Sequence, residues 1–175
     1  MIGGIGQGFN VVTPIQLAVA LSTLSNGGTR FVPRLLYASK QAGNGQAVRT
    51  PAPQAGHVPV VSAENWKAVR EGMRRVIHGA GGTARTLLPL SGYEMAGKSG
   101  TAQVVEQEQE PGRAVQEAEV AHHLRTHALF IAFAPADQPS IVVVAVVEHG
   151  GGGSRQAAPV VKAVIETWMA QEESE

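Results

Sequence analysis

The chain contains no cysteine. Disulfides, thiol nucleophiles and thiolate zinc sites are therefore excluded, while the absence fits the cytosol and an oxidising compartment equally well. A charge surplus is missing too: Lys+Arg and Asp+Glu both number 14. Proteins whose main partner is nucleic acid carry a basic excess to meet phosphates, so no nucleic-acid partner is expected. Charged residues make up only 16%, too few for a disordered tail. No apolar run approaches the length of about 18 residues that reads as a membrane-spanning helix. The opening "MIGGIGQGFN" has neither the basic start nor the apolar stretch of a signal peptide, and its glycines suit an interior loop better than a free terminus. Gly3, Gly4, Gly6 and Gly8 do not follow phosphate-loop or dinucleotide spacing, and no strand precedes them. No internal repeat is present.

What is there is an apolar content of 43% over 175 residues, enough for the core of one domain or of a large piece of one. "TPIQLAVALSTLSNGG" predicts a helix. Thr13 is a good N-cap, Pro14 suits the first turn, Gln16 completes a capping box, and Asn26-Gly27-Gly28 ends it. Leu17, Leu21 and Leu24 form its apolar stripe. "RFVPRLLYA" reads as a short extended segment held to an edge by Pro33. Residues 39–59, rich in Gly, Pro, Gln and Ala, read as a surface loop or weak hairpin carrying an exposed His57.

A second helix follows in "SAENWKAVREGMRRVIHGAGGTA", with Ser62 as cap. Its expected inward face is Trp66, Val69, Met73, Val76 and Ile77; Lys67, Arg70, Glu71 and Arg74 fall mostly on the outer face. Thr83 is expected to cap a short helix over 84–88. Strand-like segments run over 93–104, 126–134 and 140–148, the last two joined by "ADQP" as an antiparallel hairpin. "SIVVVAVVEHG" is so apolar that a central strand covered on both faces is expected. Between them, Val120 and Leu124 suggest a short amphipathic helix, and the acidic run Glu106, Glu108, Glu110 a solvated loop. "GGGGS" at 150–154 reads as a flexible loop before a final helix packed through Val161, Val164, Ile165 and Trp168. The class is therefore α+β, an antiparallel sheet flanked by helices, thin enough that further strands are expected upstream.

Chemistry concentrates in "MAGKSGTAQV" at 95–104. On a strand, Ser99 and Thr101 share one face and Lys98 and Gly100 the other. Gly97 and Gly100 remove bulk, so another backbone or a ligand can come close. Such an edge can receive an extended peptide, its ammonium and hydroxyls gripping a carboxylate; equally, it can be an ordinary glycine-containing strand with an exposed lysine. The histidines are weaker signals. His123 and His127 have the i, i+4 spacing of a helical metal pair beside His122. The segment breaks near Thr126, however, and no nearby Asp or Cys completes a site, so no metal is expected. His78 and His149 read as lone, solvated residues near turns.

Lys-Ser-Gly on a strand is one of three signature elements of the penicillin-recognising serine enzymes. Together with "IGQGFNVVTPIQLAVALSTLSNGG", "HALFIAFAP" and "VVVAVVEHGGGG", in that order along the chain, it resembles the C-terminal part of class B penicillin-binding proteins, nearest their elongation branch, penicillin-binding protein 2. The resemblance spans nearly the whole chain except 39–59 and part of 105–120. It implies a partial penicillin-binding-protein/beta-lactamase-like transpeptidase fold. It also implies a peptidoglycan D,D-transpeptidase acting at the periplasmic face of the inner membrane through an acyl-serine, with no cofactor. The expected partners are D-Ala-D-Ala stem peptides, beta-lactams and, in a full-length protein, an elongation glycosyltransferase and membrane partners. Lys98, Ser99 and Thr101 are implied as catalytic, and Lys98, Ser99, Gly100, Thr101 and Gln103 as substrate-binding. The Thr101 N–H would be one oxyanion-hole donor.

The chain departs from the family pattern in one large respect. No serine is followed three residues later by lysine, and none begins Ser-x-Asn: Ser62 leads to Asn65 and Ser91 to Glu94. The family carries both elements upstream of the Gly-Ile-Gly-Gln-Gly stretch. Residues 1–175 are therefore expected to be the C-terminal portion of a transpeptidase domain, without the nucleophile-bearing part, pedestal domain or membrane anchor, and inactive alone. Two other readings stay open: a non-catalytic module that binds cell-wall peptides, and a serine beta-lactamase fragment. His149 stands where relatives often carry Asn.

Overall fold

The computed structural model describes residues 11–40, 42–43, 45–59, 62–104 and 120–172. The glycine-rich opening and the Glu106, Glu108, Glu110 run lie outside the described residues. Helix α1 spans Pro14–Ser25, closed by the expected capping box: the Thr13 hydroxyl accepts from the Gln16 N–H, and the Gln16 side chain accepts from the Thr13 N–H at 2.8 Å. Gly27 (φ 82°) and Gly28 (φ 107°) make the reversal that follows, a conformation that side chains disfavour. Of the three stripe leucines only Leu21 is fully buried; Thr23 and Ser25 are buried beside it, their hydroxyls donating to Val19 and Ser22 carbonyls.

Four short strands follow: β1 (Thr29–Phe31), β2 (Ala38–Lys40), β3 (Ala47–Arg49) and β4 (Gln54–His57). They form two antiparallel pairs, β1 with β4 and β2 with β3, so the region read as a loop or weak hairpin holds a true hairpin, β2–β3.

Helix α2 (Ala63–His78) is capped by Ser62 as expected. Its inward face is rotated from the expected one. Met73 and Ile77 are buried, but Val69 is half exposed, and Arg70 turns inward to donate to the Ala136 and Asp137 carbonyls beside the Phe133 ring. Carbonyls left open by the turn at Ala136 and Asp137 hold that guanidinium more firmly than a valine contact would.

The main sheet contains β5 (Ala96–Ala102), β6 (His127–Ala134) and β7 (Ile141–Val147), antiparallel and in that order. Among the described residues the apolar β7 is thus a border strand and β6 the central one. The apolar run correctly signals cover on both faces, α3 on one and α1 on the other, but face cover does not determine sheet order. Alternate β6 residues feed two clusters. Ala128, Phe130 and Ala132 pack with Ile77, Met95, Ala157, Val161 and Ile165; Phe133 packs with Leu21, Met73 and Ala96. Each fully buried phenylalanine or isoleucine contributes about 1.5–3 kcal/mol by leaving water. Helix α2 lies alongside β5 and supplies Ile77 to one cluster and Met73 to the other.

Helix α3 runs Gly153–Glu172 and begins inside the stretch read as a flexible loop. Starting there sets its inward face to Gly153, Ala157, Ala158, Val161 and Ile165, leaving Val164 and Trp168 partly exposed at its flank. Small residues at its start let the helix settle close to the sheet. The expected helix around Val120 and Leu124 is only a 3-10 turn over His122–Leu124 with no buried side chain. Among the described residues no helix is long and apolar enough to cross a membrane.

Candidate active site

Strand β5 carries Lys98, Ser99, Gly100 and Thr101 at the border of the main sheet: only β6 pairs with it among the described residues. Ser99 lies opposite Phe130 and Thr101 opposite Ala128, on the α3 side; Lys98 lies opposite Ile131, on the other face. Lys98 is exposed, Ser99 half-buried and Thr101 exposed. The Lys98 ammonium folds along the strand and donates to the Ser99 carbonyl at 2.6 Å. Gln103 follows just beyond the strand end, also exposed. A solvent-facing ammonium, two hydroxyls and an unshared strand border thus occur within four residues, the groups needed to hold an extended, carboxylate-bearing chain.

The two glycines do different jobs. At Gly97 a Cβ would come within 2.8 Å of the Phe130 ring, so bulk is removed there for the core and not for a ligand. At Gly100 the close neighbour is the protein's own backbone: Gly153, heading α3, lies so near that a Cβ on it would overlap the Gly100 and Leu129 carbonyl oxygens. That close approach constrains Gly153; a Cβ on Gly100 itself would meet only the Leu129 Cβ, at 3.3 Å. Gly150, where a Cβ would come within 2.8 Å of Val147, and Gly153 are therefore packing devices.

Sequence reasoning missed Thr83. It caps no helix: the turn over Arg85–Leu87 has Ala84 at its head and no side-chain cap. Instead the Thr83 hydroxyl sits 3.5 Å from the Ser99 hydroxyl. The turn that carries it is held tightly, since a Cβ at Gly82 would run into the Val76 and Arg75 carbonyls. The signal was the glycine pair directly ahead of a threonine at a helix end, which marks a close-packed turn as readily as a cap.

Two histidines also differ from expectation. His78 accepts the Met95 N–H through Nε2 at 3.3 Å, tying the end of α2 to the approach of β5. His149, in the left-handed region at φ 54°, donates its N–H to His127 Nδ1 at 3.0 Å, and its ring lies 4.9 Å from that of His127 and 5.3 Å from that of His122. Being drawn into this cluster of tilted rings, it is not a lone solvated residue. His127 belongs to a strand, so its spacing from His123 is not helical. Among the described residues no group of three or more His, Cys, Asp or Glu is placed to hold a metal.

Below β5, Arg74 forms a two-pronged contact with Glu94, both bonds 2.6 Å. The hydrogen bond to Arg74 holds the Glu94 carboxyl below its ordinary range, and Glu94 in turn raises Arg74. Tyr93 beside it has a buried hydroxyl with no protein partner among the described residues; burial pushes its phenol up, helped by the charge of Glu166.

Comparison with known proteins gives this strand a context. The penicillin binding protein transpeptidase domain matches residues 2–166. Peptidoglycan D,D-transpeptidase MrdA of Haemophilus influenzae is 36% identical over 171 residues, 96% of this chain and 25% of that protein. The MrdA of Acinetobacter baumannii is 39% identical over 166 residues, 94% of this chain and 23% of that protein. The chain therefore spans about a quarter of the length of the curated relatives it matches. Among solved structures, Pseudomonas aeruginosa PBP2 in complex with WCK 5153 shares 42% identity at a TM-score of 0.70, covering 95% of this chain and 32% of that one. The imipenem acyl-enzyme complex of penicillin-binding protein A from M. tuberculosis shares 28% at 0.68, covering 96% and 33%.

Proposed function

The chain belongs to the penicillin-binding protein transpeptidase family, in its PBP2/MrdA branch, and from that premise we propose that it supplies the peptide-gripping strand of a peptidoglycan D,D-transpeptidase. Strand β5 receives the D-Ala-D-Ala end of a stem peptide along its open border. Lys98 sets a positive potential near the terminal carboxylate, and Ser99 and Thr101 offer hydroxyls to it. Gly100 lets the strand lie flat, the Thr101 N–H faces the carbonyl that is attacked, and Gln103 contacts the peptide beyond the strand end. The observation that carries this reading is the exposed Lys98 on a border strand with the Ser99 and Thr101 hydroxyls beside it.

The covalent step needs a serine with a lysine three residues on, and this sequence contains no such pair. We infer that these residues alone bind without acylating, as the C-terminal portion of a transpeptidase domain. In a whole enzyme of this kind the site would work at the periplasmic face of the inner membrane beside an elongation glycosyltransferase. Beta-lactams would occupy the same border, in keeping with the beta-lactam acyl-enzyme named for the mycobacterial relative; a Helicobacter pylori PBP2 is known in complex with MreC.

Two measurements on the purified chain test this. Titration with a diacetyl-Lys-D-Ala-D-Ala peptide is expected to give saturable binding, and incubation with fluorescent penicillin no covalent band. A stoichiometric penicillin adduct would refute the inference about the nucleophile. Absence of peptide binding at millimolar concentration would remove the role assigned to β5.

A further inference from the structure

The two small sheets between α1 and α2 differ in character from the rest of the protein. From residue 29 to 59 the sequence carries Arg30, Arg34, Lys40 and Arg49 and not one Asp or Glu, in a chain whose charges balance overall. Among the described residues none of these four cations forms an ion pair with a carboxylate. Arg34 and Arg49 both lie against the ring of Tyr37, at 5.7 and 5.2 Å, so two guanidiniums share one aromatic ring without a counter-charge among the described residues. Apolar groups stand out in the same place: Leu35 is fully exposed, and Val48, Leu36 and Tyr37 are 68%, 57% and 56% exposed.

None of the described residues from 29 to 59 is buried. A lone two-stranded hairpin is at best marginal in water, and β2–β3 has no core of its own to hold it. Its outer backbone groups pair with no further strand among the described residues. Exposed leucines, a tyrosine flanked by arginines and an open strand border are together what a protein partner uses as anchors, since Tyr and Arg carry a large share of interface energy. A lipid surface would meet the charges and leucines. It could not satisfy the border N–H and C=O groups, whereas another polypeptide backbone would.

We propose that the β2–β3 hairpin is a docking surface for an acidic, aliphatic segment of another protein, added as a strand along the hairpin. Its carboxylates neutralise Arg34, Lys40 and Arg49, and its aliphatic side chains cover Leu35, Leu36 and Val48. This proposal does not rest on the transpeptidase reading, because the hairpin and β5 belong to different sheets.

The test selects random peptides of about twelve residues by phage display on the immobilised chain, then measures fluorescein-labelled synthetic copies by anisotropy. Enriched peptides are expected to interleave Asp or Glu with Val, Ile or Leu. The Leu35→Ser/Leu36→Ser double variant and Arg49→Glu are each expected to weaken binding at least about tenfold. Raising salt from about 50 to about 300 mM should weaken it as well. Circular dichroism checks that the variants fold, and a copy of the peptide with Lys in place of its acids, expected not to bind, repeats the charge test on unaltered protein. Enriched peptides without acids overturn the proposal. So do affinities unchanged by the substitutions or by the Lys-for-acid copy, and no binding tighter than about 1 mM. Phosphatidylglycerol vesicles that bind the hairpin while peptides do not overturn it in favour of lipid.

Discussion

Gly153, the first residue of α3, rests against the backbone of Gly100 on β5, closer than any side chain would allow. The contact couples the packing of a helix to the shape of the strand that bears Lys98, Ser99 and Thr101. Gly153→Ala is expected to destabilise the fold by about 1–3 kcal/mol, the usual cost of overpacking, read as a lower urea midpoint. Gly152→Ala is the control: a Cβ there meets nothing within 4 Å, so the midpoint should stay put. Equal effects of the two substitutions would show that the helix start yields easily.

Lys98 is exposed and donates only to its neighbour's carbonyl among the described residues, so its contribution is to binding and not to the core. Lys98→Met should leave the unfolding midpoint unchanged while weakening the D-Ala-D-Ala peptide by about tenfold, in line with the loss of a charge-assisted contact of roughly 1.5–3 kcal/mol. A variant that binds as well as the parent would place the carboxylate elsewhere.

Tyr93 offers a check on burial. Its hydroxyl is enclosed without a protein partner among the described residues, and an unsatisfied buried group costs about 1–3 kcal/mol. Tyr93→Phe should therefore be neutral or stabilising by up to about 1 kcal/mol. Burial, and then Glu166, raises the phenol above its ordinary value, so the folded state favours the protonated form. Below the ordinary tyrosine range that preference costs nothing; as pH rises past it, the unfolded chain ionises first and stability falls. Alkaline difference spectra of parent and variant should reveal a phenol titrating above about pH 10 that the variant lacks.

Glu94 has the opposite sign. Its carboxyl is lowered by the hydrogen bond to Arg74, so the stabilisation is complete above the ordinary carboxylate range and is lost as pH falls through the lowered folded value. Both partners are more than a third exposed, so the effect is small and screened by salt. Urea midpoints of parent and Glu94→Gln should differ at neutral pH and converge below about pH 3. A difference that persists in acid would assign the loss to packing.

Sequence patterning located most elements because local rules decide them. The Thr13 box and the Ser62 cap follow from short-range hydrogen bonding, and the strands around 96–102, 127–134 and 141–147 from short, mostly apolar runs bounded by turn residues. It failed where two residues compete for one face. Val69 and Arg70 stand side by side on α2, and only the open carbonyls of Ala136 and Asp137 decide that the arginine turns inward. Thr83 was misread for a similar reason, since a threonine after two glycines satisfies the rule for a cap while its real neighbour, Ser99, is distant in sequence.

By itself, then, the sequence determined the α+β class, the helix caps and the segment that bears the ammonium and hydroxyls, because backbone geometry and solvation act within a few residues. Tertiary structure alone decided that β6 and not β7 is central, that Gly153 heads a helix pressed against the Gly100 backbone, and that the His149 ring lies against those of His127 and His122. Each depends on which distant backbone or ring arrives next to a residue, and close packing, unlike propensity, is settled only when the layers meet.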